Sequence, residues 1–129
     1  MGCKMAPNHS PGFLAISQEA KKHIKETTVF DVKSRLDKGE KLIIVDVREE
    51  SEFAQDHIPG SIHISKGVIE RDIELKIPQN STEIILYCGG GFRSALSAEN
   101  LIRMGYTNVI SMDGGIRAWR ENGFPLTTH

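Results

Sequence analysis

The chain has 129 residues, of which 39% are hydrophobic and 26% charged, and these proportions are typical of a globular domain with an apolar core. The length fits one domain. A formal net charge of -1 provides no concentrated positive field for phosphates, so no nucleic-acid partner is expected. No apolar run reaches the roughly 20 residues that span a bilayer, so no membrane partner is expected either.

The chain contains two cysteines, Cys3 and Cys88. Cys3 lies in a lead of residues 1–12 that is rich in Pro, Gly, Asn and Ser, and we expect this lead to be flexible. The start also lacks the apolar segment of a secretory signal. A reducing, cytoplasmic setting is therefore expected, in which a lone, well-placed cysteine is more often reactive than disulfide-bonded.

The first predicted helix covers residues 13–26. Four apolar residues recur on one of its faces at spacings of three and four: Phe13, Ile16, Ala20 and Ile24. The other face carries Gln, Glu and Lys, so we expect this helix to pack on the outside of the domain. A second helix begins at Thr28, whose spacing to Asp31 is that of a capping box, and it ends at Gly39.

Strands and helices alternate along the rest of the chain. Short apolar runs predict strands, and the predicted strands are 42–45, 61–63, 83–87 and 109–112. Helices are predicted at 49–55, 93–104 and after Gly114-Gly115, with a turn of helix within 67–73. This alternation predicts an α/β domain whose mainly parallel sheet is covered on both faces.

Cys88 directly follows the strand at 83–87 and precedes the helix at 93–104. Ligand crevices of open α/β sheets lie at the carboxyl ends of the strands, so this thiol is expected at a crevice. Three glycines, residues 89–91, let the chain curl with its N–H groups directed inward as an anion nest. The helix start and the charge of Arg93 favour an anion as well, which predicts a Cys88 thiolate that needs no neighbouring base. The alternative is a glycine turn with an inert buried cysteine.

The segment from Cys88 to Ser94 resembles the active-site loop of the rhodanese-like family. Other stretches resemble the N-terminal and C-terminal signatures of that family: Val45-Asp46-Val47-Arg48-Glu49 with Glu52-Phe53, His57-Ile58-Pro59-Gly60-Ser61-Ile62, Gly105-Tyr106, Val109, and Gly114-Gly115-Ile116 with Trp119. The resemblance covers residues 27–126 in the order of the family. Residues 1–26, the lead plus an extra helix, lie outside it.

The resemblance implies a rhodanese-like α/β fold, with a central, mainly parallel five-stranded sheet, and a thiosulfate sulfurtransferase. Cys88 would take sulfur from a small donor, thiosulfate or a persulfide, and would carry it as a persulfide to a thiol, cyanide or an acceptor protein. Arg93 would supply charge beside it. The implied substrate-binding residues are Gly89, Gly90, Gly91, Phe92 and Ser94. No cofactor is implied, and a monomer or weak dimer is expected.

Several polar residues outside the loop have competing interpretations. Asp46 and Arg48 lie at the end of the first long strand, near the expected pocket. They could act in the pocket directly, but the favoured interpretation is a scaffold in which they pair with local backbone or with Glu52. His57 and His63 lack cysteine or acidic companions at a usual metal-site spacing, so no metal is expected. Asp56 stands where the family has Gly, which suits a left-handed helix end, so this turn is expected to differ in detail.

Two alternative functions remain open. Cell-cycle dual-specificity phosphatases share this fold and use Cys and Arg around an anion loop, as a phosphatase or arsenate reductase would here. Their loop has five residues between Cys and Arg, whereas this chain has four, residues 89–92, and the loop contains no acid for a leaving group. The second alternative is a binding or relay module, although inactive members of the family usually lose the Cys that is present here.

Overall fold

The computed structural model describes residues 9–128, so Cys3 and most of the predicted lead lie outside the described residues. The helices are α1 Pro11–Lys21, α2 Val29–Asp37, α3 Glu50–Gln55, α4 Ile69–Lys76, α5 Phe92–Arg103 and α6 Gly115–Glu121. The strands are β1 Lys25–Thr27, β2 Ile44–Asp46, β3 Asp56–His57, β4 Ile62–His63, β5 Ile84–Tyr87, β6 Val109–Met112 and β7 Thr127–Thr128. None of the helices formed by residues 9–128 has both the length and the apolar character needed to cross a membrane.

The centre of the fold is a five-stranded sheet in the order β1-β6-β5-β2-β4, and all its neighbouring strands pair in parallel. This confirms the predicted α/β class. The central strands β2 and β5 are buried along their whole length, as expected for parallel strands that are covered on both faces. A separate antiparallel pair joins β3 to β7.

Alternate residues of β5 point into two different hydrophobic clusters, which shows that helices cover both faces of the sheet. Ile84, Leu86 and then Cys88 belong to one cluster, together with residues of α4 and α5. Ile85 and Tyr87 belong to the other cluster, which includes residues of α2 and α6. Because side chains alternate along a strand, this register directs Cys88 toward the α5 side.

The segment predicted as a helix over 13–26 divides into two elements. Helix α1 ends at Lys21, and residues Lys25–Thr27 form the edge strand β1, which pairs with β6. The predicted boundary between the N-terminal extension, residues 1–26, and the rest of the domain therefore falls inside strand β1. The polar sequence of β1 gave no strand signal, because two of its three residues are exposed at the edge of the sheet.

The buried face of α1 also differs from the predicted one. Ile16 is 57% exposed, whereas Ser17 and Ala20 are fully buried where α1 packs on α5. The small side chains of Ser17 and Ala20 allow the two helices to approach closely. The position of α1 on the outside of the domain is as predicted.

The turn at Asp56 differs in detail from a turn with a left-handed glycine, as expected from the presence of Asp at this position. Asp56 has φ -161° and ψ 158°, which is extended backbone that any residue adopts, and it belongs to strand β3. Its carboxylate lies 2.7 Å and 2.8 Å from Nη2 of Arg120. Pairing with β7 and this ion pair therefore take the place of a glycine turn.

Candidate active site

Cys88 follows the last residue of β5 and lies almost completely buried, with 1% of its surface exposed. Its sulfur accepts a hydrogen bond from the N–H of Gly91 at 3.1 Å and one from the N–H of Ser94 at 3.4 Å. Both donors lie at the N-terminal end of α5, where the helix dipole favours negative charge. The sulfur is thus held at a point that suits a thiolate.

The other amide groups of the loop have no acceptor among the residues that the structure describes. The N–H groups of Gly89, Gly90, Phe92 and Arg93 make no hydrogen bond to any acceptor within residues 9–128. Gly91 caps α5 with φ 113°, in the left-handed region that favours glycine, and this conformation turns the chain from the loop into the helix. The loop therefore offers several free backbone donors to a bound anion beside the Cys88 sulfur.

A chain of hydroxyls supports the buried side of Cys88. Ser94 is fully buried, and its Oγ lies 3.5 Å from the Cys88 sulfur and 2.8 Å from the Oγ of Ser111 on β6. Ser94 therefore contacts the sulfur from within the domain through both its N–H and its side chain. The sequence prediction placed Ser94 in the loop but did not identify its partner Ser111.

Helix α6 is anchored directly on the loop. The N–H of Ile116 donates to the Cys88 carbonyl at 2.9 Å, and the N–H of Arg117 donates to the Gly89 carbonyl at 3.0 Å. Gly114 caps α6 with φ 84°. These bonds fix the first turn of α6 against the backbone that carries the thiol.

Arg93 lies beside the loop and is paired with Glu52 of α3. Its Nη1 lies 2.8 Å from Oε1 of Glu52, and its Nη2 lies 3.2 Å from Oε2. This hydrogen-bonded pair lowers the pKa of Glu52 below its ordinary value. The same guanidinium is 3.2 Å from the position that a side chain on Gly89 would occupy. Arg93 therefore places a charge beside the loop, and Glu52 offsets part of it.

A cleft of about 710 Å³ opens over the loop, and its lining includes Cys88 and the loop residues Gly89, Gly90, Phe92 and Arg93. Phe92 forms part of an aromatic wall with two residues from the N-terminal part of the chain. The ring centroids of His9 and Phe92 are 5.1 Å apart, and those of Phe13 and Phe92 are 6.0 Å apart. The extra helix α1 thus contributes to the wall of the cleft.

Asp46 and Arg48 bind one another at the end of β2. Arg48 donates through Nε and Nη2 to the Asp46 carboxylate at 2.8–3.0 Å, and both side chains are buried. Arg48 also donates to the Asp56 carbonyl at 2.6 Å and is part of the lining of the cleft. These contacts are those of a scaffold that holds the strand end and the turn at Asp56 together.

The two histidines singled out in the sequence have local partners. The ring of His57 stacks on Phe53 with centroids 3.9 Å apart, and His63 Nε2 lies 2.8 Å from the Arg48 carbonyl. Within residues 9–128, no group of three or more His, Cys, Asp or Glu side chains is arranged to hold a metal ion.

Seven residues that line the cleft were not predicted as site residues: His9, Phe13, Glu52, Gln55, Ile116, Arg117 and Arg120. Glu52 and Arg93 are 41 positions apart, so no local pattern joins them. Arg117 could have been found from the pair Gly114-Gly115, because adjacent glycines before a helix often signal a close approach of backbones. The approach is real, since Gly115 lies against the Cys88 carbonyl.

A family model described as a rhodanese-like domain matches residues 18–122. The chain belongs to this family. A sulfurtransferase of Allochromatium vinosum is 30% identical over 103 residues, which cover 80% of this chain and 94% of that protein. YrkF of Bacillus subtilis, whose name describes a sulfur carrier, is 35% identical over 103 residues. This chain spans 55% of the length of YrkF. Relatives of the rhodanese-like chain are thus named for sulfur transfer and sulfur carriage.

Protein RPA3614 of Rhodopseudomonas palustris has a similar solved structure. It superimposes with a TM-score of 0.75 and 30% identity, over 95% of this chain and 99% of that one. That protein is described as one of unknown function and a possible tyrosine phosphatase. The likeness extends over α1, so an N-terminal helix ahead of the central sheet is compatible with a single compact domain.

Proposed function

We propose that this rhodanese-like chain takes sulfane sulfur from a donor such as thiosulfate, carries it as a persulfide on Cys88 and passes it to a thiol, cyanide or an acceptor protein. The observation that carries the proposal is the pair of N–H groups, from Gly91 and Ser94, that donate to the Cys88 sulfur. Donors of this kind stabilise a thiolate and equally a persulfide anion, because both place negative charge on sulfur.

The first step is a displacement at sulfur. The Cys88 thiolate attacks the outer sulfur of thiosulfate, the S–S bond of thiosulfate breaks, and sulfite leaves with the electron pair. Free N–H groups of Gly89, Gly90, Phe92 and Arg93 are available to hold the negative charge of the donor. In the second step a nucleophile attacks the outer sulfur of the persulfide, and the electron pair returns to the Cys88 sulfur. Neither step needs a cofactor.

A phosphatase is the second candidate, because the similar protein from R. palustris is described as a possible tyrosine phosphatase. The loop favours sulfur transfer over this candidate. Only residues 89–92 separate Cys88 from Arg93, and none of them can protonate a leaving group. The cradle is therefore smaller than a phosphate loop and lacks an acid of its own.

The decisive experiment is intact-mass spectrometry of purified protein after incubation with thiosulfate. The wild type is expected to gain one sulfur atom and to release one equivalent of sulfite. Cys88→Ser is the matched control and should gain none. If the wild type stays unmodified with thiosulfate and with low-molecular-weight persulfides alike, the sulfurtransferase proposal is wrong. Hydrolysis of p-nitrophenyl phosphate that disappears in Cys88→Ser would favour the phosphatase.

The acceptor is proposed to be a small thiol or a carrier protein. The name of the relative YrkF supports a role in sulfur carriage. We propose a cytoplasmic protein that acts as a monomer or weak dimer. Light scattering across a concentration series tests the oligomeric state.

A further inference from the structure

The cleft over Cys88 is lined by four arginines, and three of them form ion pairs. These pairs are Arg48–Asp46, Arg93–Glu52 and Arg120–Asp56. The fourth, Arg117, forms no ion pair or hydrogen bond through its guanidinium with any of residues 9–128. An unpaired cation that faces a cleft is available to an anionic ligand.

The position of Arg117 is fixed by the loop itself. Its backbone N–H donates to the Gly89 carbonyl at 3.0 Å, which ties the residue to the loop. Its Nη1 lies 2.9 Å from the point that a Cβ on Gly90 would occupy, so the guanidinium lies over the middle of the loop. The absence of a side chain on Gly90 makes this placement possible. Arg117 thus places a cation within the same cleft as the Cys88 sulfur.

The size and the lining of the cleft suit an organic ligand rather than a small inorganic ion. Pockets that hold drug-sized molecules have volumes of roughly 300–1,000 Å³, and the cleft has about 710 Å³. One wall is aromatic, with His9, Phe13 and Phe92 in mutual ring contact. Thiosulfate would contact only a small part of this surface, whereas an organic body with a carboxylate could contact both the aromatic wall and Arg117.

We propose that Arg117 determines the donor specificity of this cleft by binding a carboxylate of an organic persulfide whose reacting sulfur lies at Cys88. The inference rests on the proposed sulfurtransferase function and names its substrate class. The Cys88 thiolate attacks the outer sulfur of the persulfide R–S–SH, the S–S bond of the donor breaks, and R–S⁻ leaves with the electron pair. The new bond joins the Cys88 sulfur to the transferred sulfur, which keeps its proton, so no oxidant or reductant is needed.

The test compares second-order rate constants for the gain of sulfur on Cys88 with three donors. Glutathione persulfide carries carboxylates, 2-mercaptoethanol persulfide carries none, and thiosulfate is a small inorganic anion. Arg117→Gln is expected to lower the rate-constant ratio of glutathione persulfide to 2-mercaptoethanol persulfide by roughly 10- to 100-fold, the range for a lost charge-assisted hydrogen bond. Arg117→Lys should restore part of the ratio, because it restores the charge without the planar donor pair.

Arg103→Gln is the matched control, since it removes the same charge from an exposed position of α5 outside this cleft, and it should keep the wild-type ratio. An unchanged ratio in Arg117→Gln overturns the assignment of Arg117. If Arg117→Gln lowers the rate constant for thiosulfate as much as that for glutathione persulfide, the carboxylate of an organic donor is not the group that Arg117 recognises. If the wild type gains sulfur from none of the three donors, the proposed function itself fails, and this outcome is distinct from the other two.

Discussion

Gly115 packs directly on the carbonyl group of Cys88. A Cβ on Gly115 would overlap the Cys88 carbonyl oxygen and would lie 2.6 Å from the Gly89 carbonyl oxygen. Gly115 also has φ 56°, in the left-handed region that favours glycine. Since the neighbouring atoms are backbone atoms, they cannot rotate away as a flexible side chain would. The absence of a side chain at Gly115 therefore sets how closely α6 approaches the thiol loop.

Gly115→Ala is expected to push the loop away from α6. The free energy of unfolding should fall by about 1–3 kcal/mol, as for other overpacked sites. The rate of sulfur gain at Cys88 should also fall, because the Ile116 and Arg117 N–H groups would lose their loop acceptors. Chemical denaturation and intact-mass kinetics measure the two effects. Gly67→Ala is the control, because Gly67 has no positive φ and open space around its Cβ position. If Gly115→Ala and Gly67→Ala change the free energy of unfolding and the rate of sulfur gain equally, the close contact between Gly115 and the loop is contradicted.

Two buried serines of α5 provide a matched pair of variants. Ser94 bonds to Ser111 and contacts the Cys88 sulfur, whereas the Ser97 hydroxyl has no hydrogen-bond partner within residues 9–128. Ser94→Ala should lower the free energy of unfolding by about 1–3 kcal/mol, because the Ser111 hydroxyl loses its partner. It should also slow sulfur gain from thiosulfate by roughly 2- to 10-fold.

Ser97→Ala should have the opposite effect on stability. Removal of a buried hydroxyl without a partner is expected to raise the free energy of unfolding by about 1 kcal/mol. The same denaturation series that measures Ser94→Ala tests this prediction. The expectation for Ser97 is wrong if its substitution destabilises the protein as much as the substitution of Ser94.

The Glu52–Arg93 pair predicts a dependence of stability on pH. The hydrogen bond from Arg93 lowers the pKa of Glu52 from its ordinary value of 4.5. A lowered pKa in the folded state means that the pair stabilises the fold fully above about pH 4.5 and loses this contribution as the pH falls through the folded-state pKa. Both side chains are about one-third exposed, so the contribution is expected to be only about 0.2–1 kcal/mol.

Glu52→Gln removes the titrating group and tests this directly. Its free energy of unfolding should be lower than that of the wild type at pH 7, and the difference should shrink in acid. Urea denaturation between pH 7 and pH 3 measures both quantities. Glu50→Gln, an exposed substitution on the same short helix, should show no comparable change. A difference that stays constant with pH would exclude a role for Glu52 ionisation.

The sequence predicted the parts of this fold whose signals are local. The apolar run that ends at Tyr87 and the three glycines after Cys88 placed the thiol at a strand end and a helix start, and both placements are confirmed. Strand β1 was missed because its residues are polar, and only pairing with β6 makes them a strand. The apolar spacing of α5 predicts that Ala95, Ala98 and Ile102 lie on its inner face, but Ile102 is 39% exposed and Leu101 is buried instead.

The site could be predicted only along the loop itself. Glu52 and Arg117 reach the cleft from α3 and α6, and their positions depend on how these helices pack. The aromatic wall depends on α1, which was predicted only as a helix on the outside of the domain. Long-range packing therefore determines the charge and the shape of the cleft, whereas local sequence determines where the thiol lies.

Asp56 allows a test of the strand that replaces the expected glycine turn. If its extended backbone and its ion pair with Arg120 stabilise the fold, Asp56→Gly should lower the free energy of unfolding by about 1 kcal/mol. Glycine loses more backbone freedom on folding and cannot pair with Arg120. Asp56→Asn keeps the Cβ and removes only the charge, so its free energy of unfolding should fall less than that of Asp56→Gly. The difference between the two variants measures the backbone contribution. A gain of stability in Asp56→Gly would instead indicate that this position adopts the left-handed conformation that glycine favours.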